Sequence, residues 1–250
     1  MVTFNFKFKF FLIAVVAFML FTVIGTLSHE LGHIAMAELL GNDAKLFYGS
    51  MTSAPKGYWE DEDVIAFQKF FEDNRERLEA NPTEGEKLLE PYFKPIQEKY
   101  PDNPKRSIWI TMGGPLQTIF TSVMGLFILH FRKSKYQSKF RFLDWLGVFL
   151  SLFILREVFN AFHGLITELF SEIQFYAGDE FNISNYFGWN VWTLPLIMMI
   201  IGVVVSLYVI FNVIPISYRF SFILAGLVGG LSGFAIWFGY LGPILLPIEI

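Results

Sequence analysis

The residues best suited to chemistry are His29, Glu30 and His33, in the stretch "TLSHELGHIAMAELL" at 26–40. On a helix of 3.6 residues per turn, a spacing of four puts both imidazoles on one face, one turn apart. That geometry suits two ligands of a single zinc ion. Glu30 lies about 100° round the helix from His29, poorly placed to ligate beside the histidines but able to reach a water held between them. This is the position of a general base. Zinc makes water acidic near neutral pH and polarises a carbonyl, so the set serves peptide hydrolysis best. The pattern fixes only three positions, and satisfied polar packing inside a helix is the alternative reading. The setting weighs against packing, because each ionisable residue in a spanning helix costs roughly 2.5–3.5 kcal/mol without a compensating partner.

Composition supplies that setting. Of 250 residues, 54% are hydrophobic, 30 are Phe and only 17% are charged, which is too apolar for an ordinary soluble domain. A helix needs ~20 apolar residues to cross ~30 Å of hydrocarbon. Five runs qualify: Phe10–Leu40, Ile108–Phe131, Phe142–Thr167, Trp189–Phe211 and Phe220–Pro247. The predicted fold is therefore all-α, a polytopic integral membrane helix bundle of about five transmembrane helices in the lipid bilayer. The first run, behind Lys7 and Lys9, is too long for a secretory signal, whose apolar region has ~7–15 residues. A net charge of −4 without a basic patch argues against nucleic acid. With no cysteine, disulfides, thiolate ligands and cysteine nucleophiles are excluded, and four histidines are too few for a membrane di-iron centre.

These elements must position the motif. Five crossings put Lys7 and Lys9, the cluster Arg132, Lys133, Lys135, Lys139 and Arg141, and Arg219 on one side, which the positive-inside rule makes cytoplasmic. The opposite side receives residues 41–107 and the acidic connection 168–188. We read 1–250 as a single membrane domain with 41–107 as an extramembrane insertion. Within it "AKLFYGSMTSAP" reads as an extended segment or hairpin, and 59–106 as short helices broken by prolines. Gly226/Gly230 and Gly229/Gly233 are small-residue pairs suited to close helix packing.

"HELGH" in an early transmembrane helix resembles the site-2 protease family of intramembrane zinc metalloproteases. The resemblance implies Zn2+ held by His29 and His33, with Glu30 as catalytic acid/base and a membrane-anchored protein as substrate. "MGGPLQT" at Met112–Thr118 is similar to the Gly-Pro segment the family carries at the entrance of a later helix, which would bring Gly114 and Pro115 to the site. A plain helix start with proline in its first turn explains the same residues. The family's third ligand is an Asp in a Leu-Asp-Gly motif after Asn-x-x-Pro. Here "NVIPISYRF" at Asn212–Phe220 has neither the Asp nor the Gly and falls on the opposite side, so no ligand is carried onto it.

Catalytic zinc usually takes three protein ligands. Candidates on the motif's side are His163, Glu168, Glu172, Asp179 and Glu180. Asp179, in "YAGDEFNIS", is preferred, because a carboxylate beside Gly178 on a segment returning to the bilayer can approach zinc, and some relatives of the family carry a similar stretch. A solvated acidic loop is the alternative. Arg156, Asn160, His163 and Thr167 form a polar stripe on the third apolar run that should face the bundle interior, there to support ligands, stabilise an oxyanion or touch substrate. His130 reads as interfacial. The expected function is thus an intramembrane zinc metalloendopeptidase, a multi-pass protein of a bacterial cell membrane. Rival readings are a catalytically inactive scaffold of the same fold and a divalent-metal transporter. The family often cuts near the cytoplasmic side, whereas the charge count puts the motif on the other. The sequence carries no signal for oligomeric state.

Overall fold

The computed structural model describes residues 4–137, 139–170 and 178–248. Helices dominate: α1 (Phe8–Leu39), α2 (Glu62–Ala80), α3 (Pro82–Lys99), α4 (Pro104–Phe131), α5 (Phe142–Ser151), α6 (Leu155–Phe170), α7 (Asp179–Tyr186), α8 (Thr193–Tyr208), α9 (Ile216–Ile236) and α10 (Gly242–Leu245). Between α1 and α2 lies an antiparallel hairpin, β1 (Asn42–Leu46) and β2 (Met51–Pro55), registered Asn42 to Pro55 and Leu46 to Met51. Among the described residues, four segments are long and apolar enough to cross a membrane: Phe8–Leu39, Pro104–Phe131, Thr193–Val213 and Ile216–Leu245.

The third apolar run departs from a single spanning helix. A tight 3-10 turn at Leu152–Ile154 separates α5 from α6. Leu152, Phe153 and Ile154 are buried in the bundle, and the Ser151 hydroxyl donates to the Gly147 carbonyl at 2.7 Å. Ser122 of α4 donates in turn to the Ser151 carbonyl at 2.8 Å, tying the break to its neighbour. Polar residues Arg156, Glu157, Asn160, His163 and Glu168 then dilute the apolar character of α6. α4 likewise starts earlier than the apolar run, at Pro104, with the Asn103 side chain capping the Arg106 amide at 3.1 Å. Pro115 consequently lies inside α4 and does not mark its start.

α1 is the central element and packs on α4 and, most extensively, on α9. A Cβ on Gly229 would come within 2.5 Å of the Val15 carbonyl, and one on Gly233 within 2.9 Å of the Met19 Cα, so these glycines allow backbone-close packing. Aromatic residues fill the end near the start of α1. Phe10 meets Trp145 and Tyr218 at centroid distances of 4.8 and 4.9 Å, and Phe18 meets Phe149 and Phe222 at 4.9 and 5.0 Å. The Lys7 amide donates to Ser221 at 2.8 Å, and Arg132 pairs with Asp144 at 2.9 Å. The starts of α1, α5 and α9 and the end of α4 therefore share one end of the bundle, where Lys7, Arg132 and Arg219 gather.

The opposite end carries the hairpin and the α2–α3 pair. Arg106 donates to the Leu40 carbonyl at the end of α1. Trp237 Nε1 donates to the Tyr48 carbonyl at 2.7 Å, anchoring the hairpin turn on the π-helical turn Trp237–Leu241 that follows α9. Asp61 caps α2 by accepting from the Asp63 amide at 3.0 Å and pairs with Lys99 and Tyr100 at the end of α3. The Lys99 ammonium beside it holds the Asp61 carboxyl below its ordinary range.

Candidate metal centre

The site forms where α1 crosses α4. Gly32, inside the histidine motif, lies against the Gly113 backbone: a Cβ on Gly32 would come within 2.5 Å of the Gly113 carbonyl oxygen. This approach seats both imidazoles over Gly114, where an added Cβ would collide with Nε2 of His29 and of His33. His29, Glu30 and His33 are all buried, His29 completely.

Each ring is oriented by its other nitrogen. His33 Nδ1 is 2.8 Å from the Ile110 carbonyl oxygen, which can only accept, and 3.2 Å from the Gly114 amide, which can only donate; the shorter contact favours the hydrogen on Nδ1 and the lone pair on Nε2. His29 Nδ1 is 3.0 Å from the Thr118 hydroxyl, which permits the same tautomer. Such outer hydrogen bonds are how metal-ligating histidines are held. The two Nε2 atoms are 3.1 Å apart. With the lone pairs of both Nε2 atoms turned inward a cation between them would remove their repulsion, whereas without one an Nε2–H of His29 can donate to Asp179 at 2.8 Å.

Asp179, the first residue of α7, closes the triangle. Its Oδ2 is 2.8 Å from His29 Nε2 and 3.2 Å from His33 Nε2. Tetrahedral ligands at ~2.0–2.1 Å from zinc stand about 3.3–3.4 Å apart, so a small outward shift of the three atoms admits an ion. Among the described residues, His29, His33 and Asp179 form the group able to hold a metal. The donor set of two neutral imidazoles and one carboxylate fits zinc, though also other divalent first-row metals.

Around this triangle, Glu30 Oε1 lies 3.6 Å from Arg156 Nη2. Arg156 is thus the member of the polar stripe that reaches the motif. The others do not follow it inward. His163 is exposed and lies flat against Phe159 at 6.2 Å, Asn160 is half-buried, and the Thr167 hydroxyl donates to the His163 carbonyl at 3.0 Å. The reason is helical phase: the buried face of α6 is led by Glu157 and Ala161, one residue beyond Arg156 and Asn160. His130 is exposed at the other end of α4.

Of the remaining third-ligand candidates, Glu168 is exposed, Glu172 lies outside the described residues, and Glu180 is buried but turned away from the triangle. Glu180 lies instead against Glu157, with 2% and 1% exposure respectively. The two carboxyl groups are neighbours where α6 meets the first turn of α7, beside Asp179, and Glu157 Oε1 and Oε2 and Glu180 Oε1 have no hydrogen-bond partner among the described residues. Glu157 and Thr118 were not singled out by sequence reasoning. Thr118 had a usable signal: it follows Gly114 by four residues and so shares its helix face. Pro115, buried in α4, cannot donate to the ladder, and carbonyls beside a helical proline lose regular partners. The carbonyl that Pro115 leaves without its donor is that of Thr111, the neighbour of the Ile110 carbonyl that receives His33.

Comparison with protein-family models, curated protein sequences and solved structures finds no match to this chain.

Proposed function

We propose that the protein is a zinc-dependent intramembrane endopeptidase that hydrolyses a peptide bond of a membrane-anchored protein. One observation carries the reading: His29 Nε2, His33 Nε2 and Asp179 Oδ2 converge within 3.2 Å, beside a buried glutamate one position along the same helix. The resemblance of "HELGH" and "MGGPLQT" to site-2 proteases agrees with it, and the multi-pass arrangement of five crossings, with α5 and α6 acting as one broken span, belongs to the same reading.

His29, His33 and Asp179 would hold the ion, which when bound supplies a Lewis acid and lowers the pKa of water. Glu30 takes the proton of the attacking water and delivers it to the leaving amide nitrogen. Arg156 steadies the Glu30 carboxylate by charge at 3.6 Å. Ile110 and Thr118 fix the histidine tautomers. Gly114 keeps the floor of the site free of side chain. A helical substrate must unwind locally to present a peptide carbonyl here, since helical bonds shield it.

The test is metal content and proteolysis in one preparation. About one zinc per chain is expected in the wild type, and its loss in both His33→Ala and Asp179→Ala. Glu30→Gln should keep zinc and abolish cleavage of a membrane-anchored substrate. Zinc retained in Asp179→Ala removes the third ligand from this assignment. Cleavage surviving in Glu30→Gln defeats the hydrolytic mechanism, and metal binding without cleavage in the wild type favours a scaffold.

A further inference from the structure

At the end of the bundle remote from the metal centre, two adjoining surfaces combine opposite chemistries. The first is an open cavity of about 810 Å³ lined by Arg132, Tyr136, Gln137, Lys139, Phe140 and Arg141. The second is an apolar groove of about 500 Å³ along α4 and the start of α5, lined by Phe127, Ile128, Phe131 and Leu143 and also by Arg132. Both lie within the ~300–1,000 Å³ typical of small-ligand sites, and they meet at one residue.

The charges in the cavity are not balanced. Arg132 is spent on Asp144, with contacts at 2.9 and 3.0 Å. Lys139 and Arg141 are exposed, and among the described residues neither side chain forms an ion pair, although the Arg141 amide donates to Asp144 at 2.8 Å. Residues 132–143 contain no acid at all. The groove runs from Arg132 back to Met124, about 12 Å along α4 at 1.5 Å per residue. A soluble anion satisfies the cavity and leaves the groove bare. A neutral lipid fills the groove and leaves two cations unanswered.

We infer that this end of α4 and α5 binds one anionic glycerophospholipid, its headgroup phosphate against Lys139 and Arg141 and an acyl chain along Phe127, Ile128 and Leu143. Charge complementarity selects the headgroup, and the groove supplies what diffuse attraction to a basic loop does not. Exposed Phe131, Tyr136 and Phe142 around the site suit the interfacial level of a bilayer.

The full chain in neutral detergent is titrated with phosphatidylglycerol and with phosphatidylcholine of the same acyl chains, following thermal stability and lipids retained in native mass spectrometry. At about 1 kcal/mol per cation near an anionic surface, the wild type should prefer phosphatidylglycerol by about ten-fold or more. K139A/R141A should lose the preference, while K9A/K135A, which removes the same charge from this end but outside the cavity, should keep it. Ile128→Trp, filling the groove, should weaken retention of both lipids and keeps the idea testable should the double variant not fold. Equal loss in the two double variants overturns the site in favour of diffuse attraction. An equal stabilisation by inorganic phosphate alone assigns the cavity to a free anion and overturns the lipid. Zinc content in the same samples reports on the metal centre separately, so neither failure is mistaken for the other.

Discussion

At the residue scale the site depends on two residues that carry no charge, Gly114 and Thr118. Gly114 is needed because its Cα faces both Nε2 atoms, so Gly114→Ala would place a methyl where the ligand atoms converge. Zinc stoichiometry should fall toward zero in this variant while the bundle stays folded, as checked by metal analysis beside circular dichroism. Thr118 acts through His29: Thr118→Val keeps the shape, removes the hydroxyl at 3.0 Å and frees the imidazole to rotate. Loss of such an outer hydrogen bond costs about 10–100-fold in metal affinity, readable by competition with a zinc chelator. Unchanged affinity would mean that packing alone orients His29. Asp179 could be picked out in sequence from its place beside a glycine on the right side of the bundle. Arg156 was visible only as one of four equivalent stripe members, because sequence spacing gives a helix face but not which neighbour it meets.

At the element scale, the α2–α3 pair shows how an insertion is held together outside the apolar bundle. Asp61 caps α2 and accepts from Lys99 and Tyr100 of α3, with its carboxyl held below the ordinary range chiefly by the Lys99 hydrogen bond. A depressed folded-state value means the contribution is fully present above the unfolded aspartate value and is lost as pH falls through the folded one. Protection factors of the amides in residues 62–99, which divide out the intrinsic slowing of exchange at lower pH, should therefore fall on acidification, with those of the bundle helices unaffected. Asp61→Asn retains a capping oxygen and should show faster exchange at neutral pH with a weaker acid response. An acid response undiminished in Asp61→Asn would place the titrating group elsewhere. The hairpin and this helical pair were legible from turn residues and helical spacing, whereas the break at Leu152–Ile154 was not. An unbroken apolar run looks the same in sequence whether it forms one helix or two; here the 3-10 turn follows Ser151, whose hydroxyl bonds back to Gly147 within α5 and whose carbonyl accepts from Ser122 of α4.

At the scale of the whole molecule, the bundle has a basic end and an end that carries the His29, His33 and Asp179 cluster. Reading α4 as a single crossing places Glu72 of α2 and Lys135 beyond α4 on opposite sides of the membrane. With no native cysteine, Glu72→Cys and Lys135→Cys each give one thiol, and both positions are exposed. In sealed vesicles of one orientation an impermeant maleimide should label only one of the two variants before detergent is added. Labelling of both would show that α4 does not cross.

Sequence by itself determined the class of molecule, the histidine–glutamate constellation and that Asp179 lies at the same end of the bundle as the motif. These rest on local quantities: apolar run length, helical period and the placement of charge. Only the tertiary structure decided that Gly32 and Gly113 meet, that His29 and His33 therefore sit on Gly114, and that Asp179 rather than His163 completes the triangle. It also turned α6 by one residue, burying Glu157 and leaving His163 exposed. The physical reason is that a metal centre is defined by distances of about 3 Å between atoms far apart in the chain, and those distances are set by helix crossings, which depend on side-chain volumes on two elements at once.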